Sequence, residues 1–184
     1  MTGSLTVPDS ISFEAAITFT QTLLTHLDTG EVAEKEVQPL IEDLVQTMNG
    51  ARGFFVAYLT DERPLADNPS PAVVAALKAH PEPVASLLIK NLAMSTAMSL
   101  AHQRQQAEDL AQSSQRVSQC SVTLIQRLAL PEIQAEAEQL WQSLTTETGT
   151  YVDFLHRWGY DAAQKQQIQA ALAQTFPAHF PTPE

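Results

Sequence analysis

Apolar residues recur along most of this chain at alternating spacings of three and four, the period that lines side chains along one face of an α-helix. Phe13, Ile17, Thr20, Leu24 and Leu27 form the first such face. Asp28-Thr29-Gly30 supplies its stop, with Gly30 the natural left-handed terminator. A second, long helix is predicted from about Val32 to Leu59, with its seam through Val37, Ile41, Leu44, Met48, Arg52, Phe55 and Leu59. Thr60 to Ser70 reads as a loop by its Pro, Asn and Asp content. Ser70-Pro71 opens a short helix, Ser at the cap and Pro at the first helical position, and His80-Pro81-Glu82-Pro83 breaks it.

Val84 to Leu130 holds neither Gly nor Pro, so a single helix of up to about 70 Å is permitted there. Its ends differ. Val84 to Ala101 is apolar on nearly all sides and is expected at the centre of a bundle, whereas Gln103 to Gln119 is mostly Gln, Ser, Arg and Ala and forms a weak point. Leu130-Pro131 starts another long helix, with Ile133, Ala137, Leu140, Leu144, Thr148, Tyr151 and Leu155 as its seam and Trp158 near its end. Gly159 closes it, and Asp161 with Gln164 has the spacing of a capping box for the last helix. No segment carries a strand pattern.

Two of these stretches resemble each other. Glu36 to Leu59 (EVQPLIEDLVQTMNGARGFFVAYL) aligns without a gap on Glu132 to Leu155 (EIQAEAEQLWQSLTTETGTYVDFL) at an offset of 96, with eight of 24 positions identical. Thr22 to Leu27 resembles Thr123 to Leu128 upstream, and Ala75-Ala76-Leu77 resembles Ala170-Ala171-Leu172 downstream. The expected architecture is therefore all-α: an antiparallel bundle of about six helices. In it, helix, long helix and short helix occur twice by internal duplication and are joined by a long apolar helix. Residues 1–11 are expected to be a flexible N-terminus and 12–176 a single helical domain. Within it the repeats span about 12–80 and 111–176, the connecting helix about 84–110, and 177–184 form an irregular tail.

Composition narrows the class without naming an activity. The chain is 44% hydrophobic but only 7% aromatic, which favours helix over strand. A formal charge of −11 leaves no basic surface to neutralise phosphates and opposes anionic membranes, so neither nucleic acid nor membrane is an expected partner. The most apolar window contains Lys90, Asn91, Ser86, Ser95 and Thr96, which argues against a membrane span. Cys120 stands alone, which excludes an internal disulfide and reads as a structural thiol. The opening residues lack the basic and apolar regions of a signal peptide, and a cytoplasmic location is expected.

Candidate chemistry is sparse. Asp153 with His156 is the one metal-like pair at helical spacing, and an Asp153–Arg157 ion pair is the simpler reading. There is no Glu-x-x-His, no phosphate-binding glycine pattern and no nucleophile–base arrangement, so no metal, cofactor or catalytic residue is assigned. Gly53 and Gly149 are expected to mark close helix crossings, with a bend at Gly50. Glycines inside a helix cost about 1 kcal/mol each against Ala, which close packing must offset. Arg52 interrupts an apolar seam, either extending to the surface or lining a cleft that awaits an anion. Asp61, Glu62, Arg63 and Asp67 form either an interaction rim or a solvated turn with an internal Arg–Asp pair. Lys90 and His102 lie on the apolar helix, 12 residues or about 18 Å apart.

Two functions compete. The first is a non-catalytic protein–protein interaction module (an adaptor, assembly or regulatory factor) with room for homodimerisation along Leu110, Val117, Cys120 and Leu124. The second is a bundle that binds a small anionic or tetrapyrrole-like ligand between helices near Arg52.

Overall fold

The structure is a computed structural model, and it describes residues 5–181. Those residues form nine helices and no strand: α1 Phe13–Asp28, α2 Glu34–Val45, α3 Met48–Thr60, α4 Pro71–Lys78, α5 Pro81–Arg104, α6 Glu108–Leu128, α7 Pro131–Thr146, α8 Val152–Trp158 and α9 Ala162–Thr175. The all-α expectation holds. About six helices become nine because the two expected long helices, from Val32 to Leu59 and from Pro131 to Trp158, are each broken once, and the 84–130 stretch is two helices, α5 and α6.

The predicted helix from Val32 to Leu59 is two helices. Thr47 is extended (φ −107°, ψ 149°), and its hydroxyl accepts the Gly50 N–H at 3.1 Å, which caps α3. A side chain at Gly50 would overlap the Leu44 carbonyl, so the expected bend there is a full break between helices. The corresponding helix through Trp158 also breaks, after Thr146. Glu147 (φ 54°) and Gly149 (φ 114°) are left-handed, and the Tyr151 N–H donates to Ser143 Oγ at 3.2 Å across the turn. Gly149 therefore serves backbone conformation and not a close helix crossing. The 84–130 stretch breaks inside its predicted weak region, at left-handed Gln106 (φ 58°) between α5 and α6. Left-handed backbone at a non-glycine residue costs about 1–2 kcal/mol, which packing on either side must offset.

The cap and proline signals act at their expected places. Ser70 Oγ accepts the Val73 N–H at 3.3 Å and Pro71 opens α4; Pro131 opens α7. Asp161 Oδ1 accepts the Gln164 N–H at 2.8 Å while the Gln164 side chain accepts the Asp161 N–H at 3.1 Å, a complete capping box. Gly30 (φ 72°) and Gly159 (φ 60°) are left-handed at the ends of α1 and α8.

The chain divides after Leu87 into two compact units. In the first, α1 packs on α3, and α2 on both α3 and α4. Gly53 makes the α1–α3 contact close: a Cβ there would sit 2.8 Å from the Phe13 carbonyl oxygen and 2.9 Å from the Ile17 nitrogen. Fully buried Leu23, Leu24, Ile41, Leu44, Phe54, Phe55 and Tyr58 fill the core. The Phe54 and Tyr58 rings stack at 5.1 Å. Of the N-terminal segment expected to be flexible, residues 1–4 lie outside the described residues. Ile11 is buried with Ala16 and Leu44, and Val7 packs against that group.

In the second unit, α5 buries Leu88, Ile89, Leu92, Ala93 and Ala97, in keeping with its all-round apolar character. It is long and apolar enough by composition to cross a membrane, and 44% of that window is buried within the protein. Thr96 on α5 and Ser118 on α6 share a hydroxyl hydrogen bond of 3.2 Å. Gln164 Nε2 donates to the Ala97 carbonyl at 3.1 Å, and Arg104 Nη1 meets Asp161 Oδ2 at 2.5 Å, so α9 is tied to α5 at two points. Beyond α9 the tail is not helical, yet Phe180 is buried and stacks on Trp141 at 4.7 Å; the tail's residues 182–184 lie outside the described residues.

Two outcomes follow from this packing. Gly53→Ala drives a methyl into the α1 backbone and is expected to cost about 2 kcal/mol after its gain in helix propensity. The melting temperature should then fall by roughly 4–8 °C in a thermal scan. The Asp161 carboxyl is held below its ordinary range, first by the Gln164 N–H and then by Arg104. Its contribution is present above the unfolded carboxyl value, near pH 4, and is lost as pH falls through the lower folded value. Asp161→Asn keeps a capping side chain but removes the charge. The stability gap between wild type and variant should be constant from pH 7 to pH 5 and close on further acidification, as read by thermal melts across pH.

Candidate functional site

Helix α3 is buried on all but one stripe. Ala51, Gly53, Phe54, Phe55, Ala57, Tyr58 and Leu59 face the interior, while Met48, Arg52, Val56 and Thr60, each four residues apart, form its solvent ridge. Two of these are large and apolar, yet Met48 is 51% exposed and Val56 42% exposed. The break at Thr47 explains why the expected seam fails here. A continuous helix would carry Met48 and Arg52 on the face of Ile41 and Leu44; restarting at Met48 rotates both outward.

Arg52 is accordingly exposed. Its guanidinium lies over the Phe13 ring, 5.0 Å from the centroid, and no carboxylate of the described residues pairs with it. Gly53 and Ala16 bring Phe13 into reach, because the same small contact that seats α1 against α3 puts the first residue of α1 beside Arg52. A hollow of about 520 Å³ opens next to Met48, lined by Asp9, Ser10, Ile11, Ser12, Thr47 and Asn49. Its one charged residue is acidic and Arg52 does not line it, so it lacks the cation an anionic or tetrapyrrole-like ligand would need.

The loop after α3 holds the expected internal ion pair. Arg63 donates through Nε and Nη2 to the two Asp61 oxygens at 2.7 and 2.6 Å, and the Arg63 N–H reaches Oδ1 at 2.9 Å. This bonding raises the Arg63 pKa further above its ordinary value. Arg63 Nη1 also reaches Thr25 Oγ1 at 3.3 Å, and the Tyr58 hydroxyl donates to the Leu65 carbonyl at 2.8 Å. Asp61 and Arg63 thus hold the loop onto the helices, and Glu62 and Asp67 are exposed.

In the second unit, Lys90 sits over the Tyr151 ring, 5.7 Å from its centroid. Tyr151 is buried, and its hydroxyl donates to the Glu136 carboxylate. His102, three helical turns from Lys90, has a buried Nδ1 with no hydrogen-bond partner. Asp153 and His156 are both exposed, and no group of three or more His, Cys, Asp or Glu among the described residues is placed to hold a metal. Cys120 is buried, as is Leu124, which removes half of the expected dimer stripe; Leu110 is 55% exposed. Nothing in the residue pattern singles out the Tyr151–Glu136 contact, because Glu136 is on α7 and Tyr151, 15 residues on, lies in the turn before α8, which the periodicity does not mark.

Residues 12–175 match the family described as "Uncharacterised conserved protein UCP020893". The chain belongs to this family. The match runs from the cap of α1 to the end of α9, so the family's span takes in both units and the α3 ridge. No curated protein and no solved structure matches the chain.

Mutation should rank the Arg52–Phe13 contact below the Tyr151–Glu136 hydrogen bond. Arg52→Ala removes an exposed cation–π contact and is expected to cost no more than about 1 kcal/mol. Tyr151→Phe leaves Glu136 without its buried donor and should cost about 1.5–3 kcal/mol. Urea unfolding of the two variants checks the order.

Proposed function

We propose that this protein is a non-catalytic helical interaction module, an adaptor, assembly or regulatory factor, that docks a protein partner on the outer ridge of α3. The observation that carries the reading is the ridge itself: exposed Met48 and Val56 flank Arg52, whose charge has no carboxylate partner among the described residues. An arginine already resting on an aromatic ring loses little rotamer freedom on pairing, which suits it to anchor a contact. The complementary partner is an amphipathic helix with apolar side chains on either side of an Asp or Glu. The surrounding acidity, −11 over the chain, selects against strongly acidic partners except where Arg52 receives one carboxylate.

The finer architecture belongs to the same reading. We take the two halves as a duplication joined by α5, on the strength of the 24-residue alignment; the two matched stretches break at different places in it, at 46–47 in the first and at 147–151 in the second, so the halves have diverged there. The lone Cys120 and the acidic surface fit a cytoplasmic module.

The test is affinity capture from native extract with quantitative mass spectrometry, comparing wild type with Arg52→Glu, Met48→Ser/Val56→Ser and, as a control, Glu62→Ala. A partner depleted at least tenfold by both ridge variants and retained by Glu62→Ala supports the reading. Partners retained by the ridge variants, or no partner with wild type, overturn it.

A further inference from the structure

The second unit carries a cup that the interaction reading does not use. Its lining comes from α5, α6 and α9, and it encloses about 290 Å³. Four exposed glutamines, Gln103, Gln115, Gln167 and Gln174, form the rim. The floor is made of short, partly buried side chains: Thr96, Ser99, Ser118, Ala170 and Ala171, with Leu100. None of these ten residues is charged, on a chain with 31 Asp, Glu, Lys and Arg in all (21 + 10).

The rim amides are also chemically available. Gln38 and Gln134 bond glutamates one turn on, and Gln164 bonds the α5 backbone, but the four rim carboxamides make no hydrogen bond to the described residues. On the floor, Thr96 and Ser118 bond each other and the Ser99 hydroxyl donates to the Ala111 carbonyl at 3.3 Å, so these oxygens are fixed in place and keep acceptor capacity. Past Gln103 and Gln115 the furrow continues to Gln106 and Gln112, with Glu108 as the one charged residue of that extension.

We propose that this glutamine-rimmed cup is a binding site for a neutral polyhydroxyl ligand, a small saccharide or polyol. Without a cation in the cup, an anion has no counter-charge; without a carboxylate, a cation has none. A mainly apolar ligand would strip water from seven polar side chains and return no hydrogen bonds. A peptide would need side-chain pockets, and the floor of hydroxyls and methyls offers none. A vicinal diol meets every condition. Its adjacent oxygens each donate and accept, matching the paired donor and acceptor of one carboxamide, while the C–H face of a sugar ring rests on Leu100, Ala170 and Ala171.

The experiment is side-chain amide NMR of the ¹⁵N-labelled full chain, titrated with glucose, sucrose and trehalose, and separately with sodium phosphate and a neutral Ser/Ala peptide. Melting temperature is unsuitable, because sugars stabilise folded proteins in general by exclusion from their surface. Saturable shifts of the four rim amides with at least one sugar at millimolar concentration are expected. Gln115→Ala/Gln167→Ala, changed at exposed positions and checked for folding by its backbone spectrum, should weaken binding about tenfold. Linear, non-saturating shifts with all three sugars overturn the proposal, as does saturation unchanged in the double variant. Saturation of the rim by phosphate or the peptide in preference to the sugars overturns it equally.

Discussion

The first unit depends on one missing side chain. At Gly53 the α1 backbone comes so near that a methyl group would meet a carbonyl oxygen and an amide nitrogen. Two helices held that closely must turn their small faces together, and this decides what each presents elsewhere. Phe54, Phe55 and Tyr58 turn inward beside the contact, Phe13 is carried to the edge of α3, and Arg52 finds a ring to lie on. Met48 and Val56 are left outside as a geometric remainder. The ridge is thus a consequence of the core and not an addition to it.

Much of the fold was legible because helix signals are local. Ser70-Pro71, Leu130-Pro131, the Asp161 capping box and the glycines that close α1 and α8 act within a turn of themselves, and each was read at its place. The internal Arg63–Asp61 pair was equally local, two residues apart. The long helices failed for the opposite reason. Periodicity records which residues are apolar and not whether the backbone between them is continuous, so the three-four rhythm ran unbroken through Thr47 although Thr47 is extended. Gln106 and Glu147 adopt left-handed backbone without being Gly or Asn, and no residue type announced it.

The candidate site suffered most from that one error. Placing Met48 and Arg52 on a continuous seam made one a core residue and the other an anomaly within it; restarting the helix makes both surface groups. Tyr151 with Glu136 and the four-glutamine rim depend on packing between separate helices, which a single sequence does not encode at any fixed spacing.

The stacking of Phe180 on Trp141 has a spectroscopic side. Both tryptophans of the chain, Trp141 and Trp158, lie in the second unit, one against an aromatic tail residue and the other 47% exposed. Their emission therefore follows the second unit alone, with an accessible quencher selecting Trp158 from Trp141. The first unit, which has Tyr58 and phenylalanines but no indole, is dark at those wavelengths. Total helicity and tryptophan emission thus interrogate different parts of the same chain, and any lag between the two signals measures how independently its halves come apart.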